Sequence, residues 1–246
     1  MCFQCDHFLS GRLRHNYRLY SYALAILIGI MGPRCSAQAD TTSKVHDAGD
    51  GQVNVNWLYG AYVPRDVPLK PLTGDERLRL YVRQTFTTPG IYIKTALFSV
   101  HDQIANSPPE WGDGIGGYGK RIVSRQAQFI IQNSLSAAGN AATGWEPRYD
   151  RCRCTGLWPR TRHAIVRNFV TYDRTGKRLR PQLMPYAAAF GAGSIAGSWQ
   201  PGHPDLVVRG YQSAITQVGV GIGTNWISEF APEIFRMFRK RSNNKD

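Results

Sequence analysis

Two cysteines one residue apart, in Arg151-Cys152-Arg153-Cys154, are the residues whose type and spacing point most directly to chemistry. In an oxidising compartment such a pair is expected to bond. A single intervening residue closes a very small ring, and strained disulfides are the ones that exchange with other thiols. Arg148, Arg151 and Arg153 would also stabilise a thiolate. Thiol exchange, a structural bridge or two idle thiols all fit this spacing. A zinc site using Cys152, Cys154 and His163 lacks a fourth ligand and departs from the two-to-four-residue spacing of zinc-binding cysteine pairs.

A second candidate is the glycine run from Trp111 to Gly119, followed at once by Lys120 and Arg121. Backbone N–H groups at Gly117 and Gly119, opening onto those two cations, have the generic plan of an anion cradle. The Walker lysine spacing is missing, and no apolar strand precedes the run as a dinucleotide fingerprint requires. A hinge or close backbone packing also accounts for the glycines. His163 sits among Arg160, Arg162 and Arg167, whose charges disfavour its cationic form and leave it a neutral base. With Lys120 and Arg121 it would equip a periplasmic enzyme for phosphorylated or lipid-like substrates. No HExxH zinc motif and no GxSxG nucleophile elbow is present. His101 and Asp102, adjacent on a helix, point in different directions and do not orient each other. No motif implies a metal or a cofactor.

These residues need a compartment and a scaffold. Arg12, Arg14 and Arg18 precede the uncharged run from Ser21 to Gly32, and Ala37-Gln38-Ala39 supplies small residues before Asp40. That is the layout of an export signal over residues 1–39, with an apolar core too short to span a bilayer. Periplasm or envelope membrane is the expected location. The whole chain carries a net charge of +13, and loss of the leader removes four arginines and one aspartate, leaving about +10. Outside the cytoplasm that charge suits an anionic lipid or an acidic envelope polymer, and nucleic acid is not an expected partner. Nothing in the sequence sets an oligomeric state.

Residues 40–70 are polar, then rich in Pro and aromatics, and read as an extended or disordered arm. A helical domain over 71–241 and a disordered tail over 242–246 follow. Thr73 and Glu76 form a capping-box pattern that predicts a helix over 74–86 with an apolar face of Leu78, Val82 and Phe86. Pro89 fits the first turn of a second helix with Ile93, Leu97, Val100 and Ile104 on one face, ending before Pro108. A third helix is expected over 117–142 and a short one over 160–171. A turn or small hairpin should fall at Tyr172 to Arg180.

Three segments lack any Asp, Glu, Lys or Arg: Gln126 to Trp145, Pro181 to Pro204 and Gly210 to Ser228. Ala189, Gly193 and Gly197, and again Gly219 and Gly223, recur every fourth residue and build flat faces for close helix packing. Such segments also suit bilayer insertion. Against free spanning stand Gln126, Gln132, Asn133, Asn140, Gln212, Gln217 and Asn225, because an unanswered amide in hydrocarbon costs a few kcal/mol. The last helix is expected to begin near Pro232, with Arg236, Phe238, Arg239 and Lys240 giving a basic amphipathic end able to meet a membrane or partner surface.

Tyr118-Gly119-Lys120-Arg121, Glu146-Pro147-Arg148-Tyr149, Trp158-Pro159-Arg160 with His163-Ala164, Phe169-Val170-Thr171, Glu229-Phe230 and Pro232-Glu233-Ile234 stand in an order that resembles a family of uncharacterised exported proteins typical of acidobacteria and related soil bacteria. The resemblance covers about residues 71–240. It implies bacterial export and a shared helical domain, and no assigned activity or catalytic residue. The sequence as a whole predicts an all-α fold, a compact bundle of Gly/Ala-rich helices behind an extended arm, acting by binding or scaffolding at a membrane or anionic surface.

Overall fold

The computed structural model describes residues 53–202 and 204–243, with side chains up to Arg236. The expected leader, residues 40–52 of the expected arm and the side chains of Phe238, Arg239 and Lys240 lie outside the described residues.

Thr73 forms the capping box expected of it. Its hydroxyl accepts from the Glu76 N–H, and its own N–H donates to Glu76 Oε2 at 2.8 Å, which starts α1, Gly74–Val82. The chain then widens into a π-helical turn, Arg83–Thr87, before Pro89 opens α2, Pro89–Ile104. A 3₁₀ turn at Pro109–Trp111 leads into α3, Ile115–Thr143, which ends on Gly144 in the left-handed conformation, φ 74°. Only glycine adopts that cap without steric penalty. Beyond it come α4, Leu157–Phe169, α5, Met184–Gly197, and α6, Leu206–Asn243.

The fold is mostly helical rather than wholly so. In the arm, β1, Val55–Asn56, pairs antiparallel with β2, Gly60–Val63. β2 in turn pairs parallel with β3, Tyr149–Asp150, in the register Tyr62↔Tyr149. Val53, Ala61, Leu72 and Leu80 form a small apolar core beneath this sheet, so residues 53–63 are packed structure and not a loose extension. The hairpin expected near Tyr172 exists as β4, Val170–Tyr172, against β5, Leu179–Pro181.

α5 is the centre of the bundle, packed on both α3 and α6. Ala188, Ala189, Ala192, Gly193, Ala196 and Gly197 are its buried residues. A methyl group at Gly193 would sit 2.5 Å from Ser213 Cβ and 2.8 Å from the Arg209 carbonyl, so the glycine sets how near α6 can come. The second small-residue face differs, because nothing lies within 4 Å of a Cβ built at Gly219 or Gly223.

Two expectations need correction. Pro232 lies inside α6 and does not start a helix. It removes the N–H that the Ser228 carbonyl would accept, and the next carbonyl, that of Glu229, is taken by the guanidinium groups of Arg160 and Arg65. The second correction concerns the apolar faces of α1 and α2. Leu78, Val82, Phe86, Ile93, Leu97, Val100 and Ile104 are all exposed, whereas α2 buries Gly90, Ile91, Thr95 and Ser99.

Candidate functional site

α1, the π turn, α3, α4 and α6 converge with β2 and β3 on a cavity of about 210 Å³. Its polar lining comes largely from the charge-free segments: Gln132, Asn133 and Asn140 from α3, and Gln217 and Asn225 from α6. The π turn adds Gln84 and Thr85, the residue after β5 adds Gln182, and Tyr59, Tyr81 and Tyr149 supply aromatic walls with hydroxyl ends. An extra residue in a helical turn re-aims side chains, which is how a π turn comes to serve such a site. Arg77, Arg148 and Arg167 also line the cavity.

Part of this polarity is answered within the protein. Gln132 donates to Gln217 Oε1 at 2.6 Å, and Asn133 donates to Thr85 Oγ1 at 3.2 Å. Asn225 donates to the Ala164 carbonyl and Asn140 to Ser136 Oγ. The opposite ends of these amides, together with both ends of Gln84 and Gln182, have no partner among the described residues. They are not sealed in: among the described residues the buried side-chain atoms lacking a partner are Arg65 Nε and Gln200 Oε1. The open amide ends therefore reach space that water or a solute fills.

The arginines of the lining are engaged. Arg77 donates to the carbonyls of Asn140, Trp145 and Gly144 at the end of α3. Arg148 forms a buried pair with Glu146, Nε to Oε1 2.6 Å and Nη2 to Oε2 3.0 Å. Arg167 pairs with Asp150, donates to the Val170 carbonyl and lies over the Tyr172 ring. Among the described residues the lining contains no carboxylate, imidazole or thiol.

Beside the cavity stands a second polar cluster of opposite character. Glu229, on α6, is 1% exposed. Its Oε1 accepts from Tyr149 Oη at 2.7 Å and from the Cys152 N–H at 2.6 Å. Its Oε2 accepts from Arg65 at 3.0 Å and Arg160 at 3.4 Å. Arg160 also clamps both oxygens of Glu233, at 2.7 and 2.8 Å, and covers the Phe230 ring. Burial, then the charge of Glu229, pushes the Tyr149 phenol far above its ordinary value, so it stays a donor at any physiological pH. The bond from Arg160 holds the Glu233 carboxyl below the usual range.

The residues singled out by sequence fall elsewhere. Cys152 and Cys154 are joined in a disulfide, Cα to Cα 5.2 Å, with Cys152 buried against Glu229 through its N–H. Arg121 is fully buried, and all five of its N–H groups are spent on Ser107 O, Gln103 Oε1, Gly112 O, Asn106 Oδ1 and Pro108 O. It is a clasp for the 103–112 turn and has no donor left for an anion. A Cβ at Gly117 would stand 2.3 Å from the Gly112 carbonyl, so that glycine serves the same close packing, while Gly119 and Lys120 are exposed. His163 meets the Asp150 carbonyl at 2.9 Å through Nε2. A carbonyl only accepts, so Nε2 carries the proton. Neither Lys120, Arg121 nor His163 lines the cavity. Among the described residues no group of His, Cys, Asp and Glu is placed to hold a metal. Arg236 is exposed.

Fold and site together define a mostly helical bundle enclosing a polar, amide-lined cavity. No family model matches the chain, and neither a curated protein nor a solved structure is significantly similar to it.

Proposed function

We propose that this chain is an exported bacterial cell-envelope binding protein whose ligand is a small uncharged solute rich in hydroxyl or amide groups, held in the polar cavity. The observation that carries the reading is the set of amide ends from Gln84, Gln132, Asn133, Gln182 and Gln217 that face open space without a partner among the described residues. An amide offers both donor and acceptor, the pattern a polyol or monosaccharide answers along its whole rim. Tyrosine walls suit the apolar faces of such rings. A charged ligand fits less well, because Arg77, Arg148 and Arg167 are already engaged by carbonyls and carboxylates. Binding is favoured over catalysis because the lining supplies no carboxylate or imidazole to move a proton at neutral pH. The export signal, the net positive charge and the resemblance to exported acidobacterial proteins support the location.

The test is a thermal-shift screen against neutral monosaccharides and polyols, small amides, inorganic phosphate and acetate. A rise in Tm with one or more neutral solutes, and none with the anions, supports the reading. A rise confined to phosphate or acetate, or no rise with any compound, refutes it.

A further inference from the structure

We infer that the Cys152–Cys154 bridge is a thiol-exchange site that oxidises a dithiol to a disulfide. It lies outside the cavity, whose lining includes neither cysteine, and its chemistry needs no solute there. A disulfide stabilises a fold chiefly through the length of chain it encloses, and this one encloses Arg153 alone. Nor does its own segment depend on it. The Arg151 N–H donates to the Val63 carbonyl at 3.2 Å, the Cys152 N–H to Glu229 Oε1 at 2.6 Å, and the Arg153 guanidinium to the Arg65 carbonyl at 3.1 Å. A bridge that ties no distant elements, in a segment fixed by other bonds, is free to open without unfolding the protein. The same bonds keep the two Cα atoms near their 5.2 Å separation when the sulfurs part, so the open pair stays placed to close again.

The two cysteines differ in access. Cys152 is buried, whereas Cys154 is partly exposed and leads into a run, Thr155 to Pro159, that is exposed throughout. Cys154 Sγ is therefore the sulfur that an incoming thiolate meets. As the new S–S bond forms there, the Cys152–Cys154 bond breaks and its electron pair leaves on Cys152 Sγ. That thiolate accepts from the Cys154 N–H, which already donates to the same sulfur at 3.2 Å. Arg151 and Arg153 are turned instead to Tyr59 and to the carbonyls of Arg65 and Val67. The Glu229 carboxylate beside Cys152 is paired with Arg65 and Arg160, so its charge is answered. The substrate's second thiolate then attacks the substrate sulfur of the mixed disulfide, and Cys154 leaves as a thiolate. The substrate dithiol has lost two electrons and two protons, and the two cysteines have gained them.

The experiment uses the full chain purified oxidised from a bacterial envelope, with reduced glutathione and a synthetic peptide carrying two cysteine thiols as separate probes. Alkylation quenches the reaction, and intact mass counts the protein thiols released. The expected result is that the bridge of the folded protein opens to at least one probe with circular dichroism and Tm unchanged, and that the peptide, where it reacts, becomes its own disulfide. Reaction with the peptide alone assigns the dithiol to a polypeptide, and with glutathione alone to a small thiol. Oxidised glutathione identifies the accessible sulfur: it should load Cys154 in Cys152→Ser about tenfold faster than Cys152 in Cys154→Ser. Should either variant fail to fold, the mixed disulfide trapped in the wild type by acid and located by peptide mapping decides the same point. A bridge closed to both probes until urea unfolds the chain would overturn the inference. So would loss of helicity or of Tm on reduction, which would make the bridge structural, or preferential loading of Cys152.

Discussion

The Glu229 cluster and the amide-lined cavity share Tyr149 as a common wall, and they handle polarity in opposite ways. Around Glu229 both carboxylate oxygens are answered, by a phenol, a backbone N–H and two guanidinium groups. In the cavity, among the described residues, each amide of Gln132, Asn133 and Gln217 is engaged at one end only, and Gln84 and Gln182 at neither. A closed network has nothing left to offer a ligand and acts on the fold, tying β3 and α4 to α6. An open one adds little to the fold and has its hydrogen-bonding capacity in reserve. Density of polar groups therefore does not by itself locate a binding site; their unsatisfied ends do.

That contrast sets the order of expected effects. Glu229→Ala takes from the buried Arg160 one of its two carboxylates and leaves the Tyr149 hydroxyl and the Cys152 N–H without an acceptor, and loss of one partner from a buried pair costs about 3–5 kcal/mol. Urea denaturation should show a large drop in midpoint; a loss below about 1 kcal/mol would mean that the cluster is not the structural tie described here. A methyl group added at Gly193, by Gly193→Ala, should cost about 1–3 kcal/mol through overpacking of α5 on α6. Gly219→Ala, with nothing near its Cβ, should instead be neutral or stabilise by up to about 1 kcal/mol. Equal effects of the two would contradict the packing.

On the cavity side, Gln182→Met should change stability by less than about 0.5 kcal/mol, because the side chain bonds to no group among the described residues. Loss of one or two neutral hydrogen bonds to a bound solute should weaken binding about tenfold. Reversal of that pattern, stability lost and affinity kept, would make the cavity structural.

The smallest effect is at the start of α1. Thr73→Ala should cost about 1 kcal/mol at neutral pH. The Glu76 carboxyl is held below its ordinary value chiefly by the backbone N–H of residue 73, which alanine keeps, and further by the Thr73 hydroxyl, which donates to Glu76 Oε2 at 2.9 Å and which alanine removes; the hydroxyl's contribution is complete above the unfolded pKa and is lost as pH falls through the lower folded one. The difference between wild type and variant should therefore shrink in acid, and a difference that grew would reverse the assigned sign.

What was legible in the sequence was local. The capping box at Thr73 and Glu76 and Pro89 in the first turn of α2 each depend on residues a few positions apart. Periodicity identified the apolar faces of α1 and α2, but spacing gives a face and not its direction, and these faces point outward. Pro232 misled because a proline inside a helix forfeits a single N–H, the one the Ser228 carbonyl would accept, and α6 runs through it. The amides of the charge-free segments were visible as residues that disfavour a bilayer. Their convergence was not, since Gln132 meets Gln217 across 85 positions. Cys152 and Cys154, Arg121 and His163 drew attention by type, yet each is occupied by neighbours that only the fold brings to it.

The central claim is that the open amide ends bind a solute, and the most direct measurement is isothermal titration of the wild type, Gln182→Met and Gln84→Met with the neutral solutes that raise Tm. The account predicts saturable one-to-one binding by the wild type, weakened about tenfold in each variant with Tm unchanged in the absence of solute. Equal affinity in all three proteins would place the solute elsewhere and contradict the account.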